Sequence, residues 1–266
     1  MEPGLLRDLL TALVGLLAGV LSGAFGVGGA TISTPGIRLL GVAPLMAVGT
    51  TLPAILPSAV SGGLRYRDEG LVDWRAVVWT VPVGVAASLA GAAAAGLVPG
   101  EGHVLQLLTA ALLGLSAWRM VSNVGRPNAA NVGADPDSEE PLTREPSPLG
   151  LGAVGLVAGG LSGLLGIGGG VVMVPAFNHI GLSVRTSVAT SLVCVGALAV
   201  PGTIAHAVLG NINWRTALVL AVTVVPGARL GAAASLRLRD RHLTQVVAAF
   251  LGVVALVYAA GELAAL

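Results

Sequence analysis

The chain has 266 residues, of which 55% are hydrophobic and only 10% charged, with 39 glycines besides. Counted with glycine, the apolar share is roughly 70%, against about 45–50% for soluble domains, which also carry about 25% charge. Too few polar groups exist to cover a soluble surface, so lipid is the solvent for most of the chain; a net charge of +1 without a basic stripe speaks against nucleic-acid binding, and the lone Cys194 against a disulfide-stapled fold.

Charges punctuate the sequence, and the membrane spans are read between them. Met1–Ala24 has the outline of a secretory signal, with Arg7 ahead of an apolar run. Glu2 and Asp8 spoil its basic start, and a near-copy recurs at Gly150–Gly163, where nothing would be cleaved. The segment is therefore expected to belong to the mature protein. Charge-free stretches follow at Leu9–Ile37, Leu39–Leu64, Ala76–Gly100 and Gly102–Trp118. They resume at Pro146–Val184, Thr186–Trp214, Thr216–Leu236 (interrupted by Arg229) and His242–Gly261. Most reach the ~20 residues that a helix needs to cross the bilayer, and helices satisfy their own backbone groups in lipid. The expected class is an all-α polytopic membrane protein of eight hydrophobic segments.

Between Ser122 and Pro148 the composition flips, with Asp135, Asp137, Glu139, Glu140, Pro136 and Pro141 marking a solvated spacer. The organisation expected is a first membrane repeat at 1–121, an acidic, Pro-rich cytoplasmic linker at 122–148 and a second repeat at 149–266. The two repeats share one pattern at an offset of 140 residues. Leu21-Ser22-Gly23 recurs as Leu161-Ser162-Gly163, Gly26-Val27-Gly28-Gly29 as Gly166-Ile167-Gly168-Gly169, and Pro35 as Pro175. Thr50-Thr51 becomes Thr190-Ser191, and Trp74-Arg75 becomes Trp214-Arg215. One register held this long marks a duplication, a hallmark of secondary transporters.

Four crossings per half make the halves parallel, whereas re-entrant first segments, turning back at their Gly-rich breaks, leave three crossings each and invert them. Inversion splits the arginines outside the spans 10 to 3, with Arg7, Arg38 and Arg215 as the three, instead of 8 to 5. The positive-inside rule favours the inverted arrangement and sets the linker in the cytoplasm.

Clustered glycines weaken a helix and admit backbone angles that other residues avoid, and a nearby proline removes a helix hydrogen bond. A helix broken at membrane depth presents N–H groups and a positive dipole end to an anion. Gly26, Gly28, Gly29 and Thr31 in the first half, and Gly166, Gly168, Gly169 and Gly170 in the second, are accordingly candidate substrate-binding positions. Thr50, Thr51, Thr190 and Ser191 join them as hydroxyls inside spans, against the alternative that they bond back to their own helix. Gly15, Gly19 and Gly23, with Gly155, Gly159 and Gly163, follow the four-residue spacing of close helix packing. Carboxylates are missing from the middle of every span, which favours an anion or a neutral solute over a cation. Arg229 is expected to snorkel to the interface. Gly160-Leu161-Ser162-Gly163 with His206 permits a competing reading, a rhomboid-like intramembrane serine protease with a Ser–His dyad; a non-catalytic membrane scaffold is a third.

At the doubled G-x-G-G stretch followed by proline, the Thr-Thr and Thr-Ser pairs and the Gly…Trp-Arg closings at Gly70–Arg75 and Gly210–Arg215, the chain resembles the sulfite exporter TauE/SafE family of membrane permeases. The resemblance covers nearly everything outside the linker; Ala30, where the second copy has Gly170, is a departure from it. It implies a permease of the cytoplasmic membrane for sulfite, a sulfonate or another organosulfur or organic anion, and no enzymatic step or cofactor. Its partners are then a small anion and the bilayer, and a proton and sodium both stay open as coupling ions.

Overall fold

The computed structural model describes residues 4–95, 146–165 and 169–263, with single helical positions between 110 and 122. Among the described residues all regular structure is helical. The first half contains α1 (Leu5–Phe25), α2 (Ala30–Leu39), α3 (Pro44–Asp68) and α4 (Trp74–Ala95). The second contains α5 (Pro148–Leu165), α6 (Gly170–His179), α7 (Val184–Val208), α8 (Trp214–Arg237) and α9 (Asp240–Leu263). Five helical stretches among the described residues are long and apolar enough to cross a membrane: Leu5–Phe25, Met46–Asp68, Trp74–Gly91, Val184–Val208 and Trp214–Arg237. Pro148–Gly163 and Arg241–Val257 are apolar over shorter lengths. The expected segment 102–118 lies mostly outside the described residues, as does the expected linker apart from its ends.

The glycine cluster breaks the first segment where composition said it would. Gly26 ends α1 in the left-handed region, with its N–H donating to Ser22 O, and Gly28 and Gly29 keep positive φ before α2 begins. Helix α2 then runs back along α1: a Cβ at Gly29 would lie 3.4 Å from Ala18 O, and one at Gly36 2.6 Å from Val14 Cγ1. At 10 residues, α2 covers about 15 Å, half the hydrocarbon thickness. The prolines do not end these helices. Pro35 lies inside α2 and Pro175 inside α6, because one missing N–H is tolerated in a packed membrane helix, whereas the positive-φ backbone at Gly26, Gly28 and Gly29 is not helical.

Helix directions follow from named contacts. Ser58 on α3 bonds Ser22 on α1, and Tyr66, further along α3, bonds Gly23, so α3 ascends beside α1. Thr50, near the start of α3, meets Asn213 just beyond α7, and Thr190, near the start of α7, meets Asp73 just beyond α3. Helices α3 and α7 are therefore antiparallel. Two further seams join the halves. Gly19 and Gly23 on α1 press on Val224 and Ala228 of α8, while Gly155 and Gly159 on α5 press on Thr80 and Gly84 of α4, each pair of helices running parallel.

The outer faces carry the lipid-facing residues. Leu13, Val78, Leu156, Leu218 and Leu230 are exposed, and the equivalent Trp74 and Trp214 stand exposed at the first turns of α4 and α8, at opposite ends of the bundle. That is where an aromatic belt belongs. Arg65, Arg67, Arg75, Arg185, Arg237, Arg239 and Arg241 collect at the end where α3 and α8 finish, and Arg7, Arg38 and Arg215 at the other.

Candidate functional site

The first glycine cluster meets the described end of the second, Gly169-Gly170, inside the bundle. Gly26 lies against Val188, and Gly28, at φ +80°, lies against Val195 and Ile55, the equivalent mid-helix residues of α7 and α3. A Cβ on Gly28 would fall 2.3 Å from Val195 Cγ1. Across from it, a Cβ on Gly170 would come within 2.7 Å of Gly26 O, and Ser191 donates to that same carbonyl at 2.9 Å. Gly169 keeps φ at +31° and packs on Ala158 and Ser162, as Gly29 packs on Ala18 and Ser22. Of the sequence candidates, Gly166 and Gly168 lie outside the described residues.

The hydroxyl pairs have more work to do than a sequence shows. Thr50 Oγ1 accepts the backbone N–H of Asn213, and Thr190 Oγ1 that of Asp73, both at 3.0 Å. Asp73 and Asn213 in turn cap α4 and α8, their side chains accepting from Ala76 N and Thr216 N. Each half thus ties down the start of the other half's Trp-led helix, α8 for Thr50 and α4 for Thr190. Thr51 donates to Val48 O within its own helix and meets Thr34 at 3.0 Å. Thr31 is buried in the first turn of α2, and its Oγ1 has no hydrogen-bond partner. The void beside Gly29, Ser33 and Thr51 measures only about 10 Å³, no more than one water needs.

A larger cavity of about 120 Å³ lies elsewhere, between α3, α4, α5 and α7. It starts at Ile55 and Val195, the residues that Gly28 backs, and runs toward the end of α7. Val48, Leu52 and Leu198 make its wall apolar; Ser88, Ser162 and His206 supply the polar groups, and among the described residues no carboxylate lines it. On the scale where one water takes about 10–15 Å³, it has room for a small organic anion. Sequence reasoning missed Ser88, since its counterpart at the 140-residue offset is Ala228 and a search for matching pairs passes over it.

The remaining sequence features fall into place by their surroundings. Five of the six packing glycines press on a neighbouring helix, at 2.1–2.4 Å from a placed Cβ to the nearest atom, whereas Gly163 lines the cavity. Arg229 is exposed on the outer face of α8, away from the cavity, two turns from the arginine-rich end, as a snorkelling residue should be. Cys194 is fully buried among apolar neighbours. Ser162 and His206 line one cavity, but no hydrogen bond joins them, and His206 Nδ1 is buried without a partner. A Ser–His dyad needs that bond to activate the hydroxyl.

The family model for the sulfite exporter TauE/SafE matches residues 11–258. The chain belongs to the TauE/SafE family. It is 28% identical over 255 residues to the probable membrane transporter protein YunE of Bacillus subtilis, covering 90% of this chain and 92% of that one. It is 24% identical to the probable membrane transporter protein MJ0441 of Methanocaldococcus jannaschii, with 93% of each covered. MamO of Paramagnetospirillum magneticum, also named a probable membrane transporter, is 27% identical over 92% of this chain and 43% of its own length. No solved structure matches this chain. As a TauE/SafE member built of apolar helices, it is a multi-pass membrane protein of a transporter family.

Proposed function

We propose that this TauE/SafE protein is a permease of the cytoplasmic membrane for a small anion, of the class of sulfite, sulfonates and other organosulfur or organic anions. The observation that carries the reading is the cavity between α3, α4, α5 and α7, which among the described residues holds hydroxyl and imidazole groups and no carboxylate. Hydroxyls donate to an anionic head, and absent carboxylates leave nothing to repel it. The largely apolar wall favours a short organic sulfonate over bare sulfite, because an alkyl portion gains by leaving water.

On this reading the chain comprises two four-segment repeats of inverted topology, with the glycine breaks at the centre and access alternating between the two ends. The antiparallel run of α3 and α7 and the exchanged Thr50–Asn213 and Thr190–Asp73 bonds support inversion. Seven described arginines at one end against three at the other support a cytoplasmic first end.

Ligand-dependent thermal stabilisation of the detergent-purified protein tests the site. A ligand that binds only the folded state raises the melting midpoint with concentration. Short alkyl sulfonates are expected to do so, and Ser88→Ala with Ser162→Ala to weaken the response. If neither sulfonates, sulfite nor short carboxylates shift the midpoint, the cavity is not an anion site.

A further inference from the structure

Every residue lining the cavity has a counterpart 140 residues away, and exchange of the two halves would make these counterparts a second path, from the centre toward the arginine-rich end. The two paths differ in state. Around the cavity, Ser88, Ser162, Gly202 and His206 are half-buried. Their counterparts Ala228, Ser22, Gly62 and Tyr66 are buried, Ala228, Ser22 and Tyr66 completely. Tyr66 is the one larger side chain at the buried end, since Ser58 and Ala228 there are smaller than Leu198 and Ser88 around the cavity. The Tyr66 ring spans the path, and its hydroxyl donates to Gly23 O on α1 at 2.6 Å. Beside it Ser58 donates to Ser22 at 3.0 Å, and Leu192 presses within 2.7 Å of where a Gly62 Cβ would be. At the open end the equivalent of Tyr66 is the shorter His206, whose Nδ1 has no partner, and Leu52 stands back at 3.3 Å from the same position on Gly202.

Resting on the permease reading above, we propose that Tyr66 and His206 are the paired gates of the two access paths, and that this conformation is closed at Tyr66 and open at His206. Alternating access in an inverted repeat exchanges the two environments. In the opposite state Tyr66 releases Gly23 O, and His206 closes toward Gly163 O, the counterpart carbonyl on α5. By the arginine distribution the open path faces outward. The asymmetry of the gates makes the two states unequal in energy: a phenol latched to a carbonyl holds the cytoplasmic path shut, while an imidazole without a partner leaves the outer one open. A ligand that enters by the cavity then shifts the balance only through contacts it gains when the outer gate closes.

Cysteine labelling in permeabilised membranes tests this without a known substrate. In a Cys194→Ser background, Ser162→Cys lines the open path and its counterpart Ser22→Cys the closed one. Ser162→Cys is expected to react quickly with a polar maleimide, and Ser22→Cys slowly. Adding Tyr66→Phe, which removes only the hydroxyl, is expected to raise the Ser22→Cys rate about tenfold, the shift that losing one buried hydrogen bond gives a two-state equilibrium, and to lower that of Ser162→Cys. His206→Tyr, which places a second phenol at the open end, is expected to slow Ser162→Cys. Equal rates at the two positions in the otherwise unchanged protein overturn the proposal. So does Tyr66→Phe raising Ser22→Cys without lowering Ser162→Cys, since that marks loosened packing. Reciprocal labelling in a protein that carries no anion supports the gates and counts against the anion-permease reading alone.

Discussion

Thr50 and Asn213 come from opposite halves of the chain, 163 positions apart, and meet in a 3.0 Å bond from the Asn213 backbone N–H to the Thr50 hydroxyl. The same bond joins Thr190 to Asp73. Thr50→Val and Thr190→Val each strand a backbone donor at a helix start, at a cost of about 1–3 kcal/mol. In a protein of this size each kcal/mol lowers the melting midpoint by about 2–4 °C. Thr→Ser keeps the acceptor and is expected to melt near the unsubstituted protein. Full thermal stability of Thr50→Val with loss of flux would assign the hydroxyl to substrate instead.

The glycine seams are expected to be stricter than their composition suggests. Gly19 sits 2.4 Å, by its placed Cβ, from Val224 O, and Gly159 2.2 Å from Gly84 O, both backbone atoms that cannot swing away. Gly19→Leu and Gly159→Leu force α1 from α8 and α5 from α4, costing about 1–3 kcal/mol or more. Gly160 has nothing within 4 Å, so Gly160→Ala is expected to be neutral or stabilising by up to about 1 kcal/mol. Recovery of a monodisperse peak after graded heating ranks the three.

Topology is open to a direct reading. The N-terminus shares its end of the bundle with Arg38 and with the exposed Asp8–Arg215 pair, and the opposite end holds most of the arginines. A reporter fused at the N-terminus is expected to be active outside the cell, and one inserted in the 122–148 linker to be active only in the cytoplasm. Cytoplasmic activity at both positions would require parallel halves.

Much of this was legible in the sequence because duplication writes the same constraint twice. The break at Gly26–Gly29 and the packing role of Gly19 and Gly159 followed from residue type, since glycine in a membrane helix has few other uses. What stayed hidden was the pairing between the halves: that Gly23 meets Ala228, or that Thr50 caps the approach to α8, depends on three-dimensional arrangement and leaves no periodicity. The cavity was hidden for a further reason. Matching one repeat to the other highlights positions that stayed alike, whereas the two paths differ where the copies diverged, at Ser88 and Ala228, Leu198 and Ser58, His206 and Tyr66. The prolines contribute less to the break than the glycines, because Pro35 and Pro175 lie within α2 and α6.

The measurement that tests the central claim most directly is flux of radiolabelled sulfite and of short alkyl sulfonates into proteoliposomes, comparing the unsubstituted protein with Gly28→Leu. A side chain at Gly28 must adopt φ near +80° and displace Val195, at the inner end of the cavity. The account predicts saturable sulfonate flux that Gly28→Leu abolishes although the protein still inserts and purifies as a single species. Flux unchanged by Gly28→Leu, or no flux of any small anion, would contradict it.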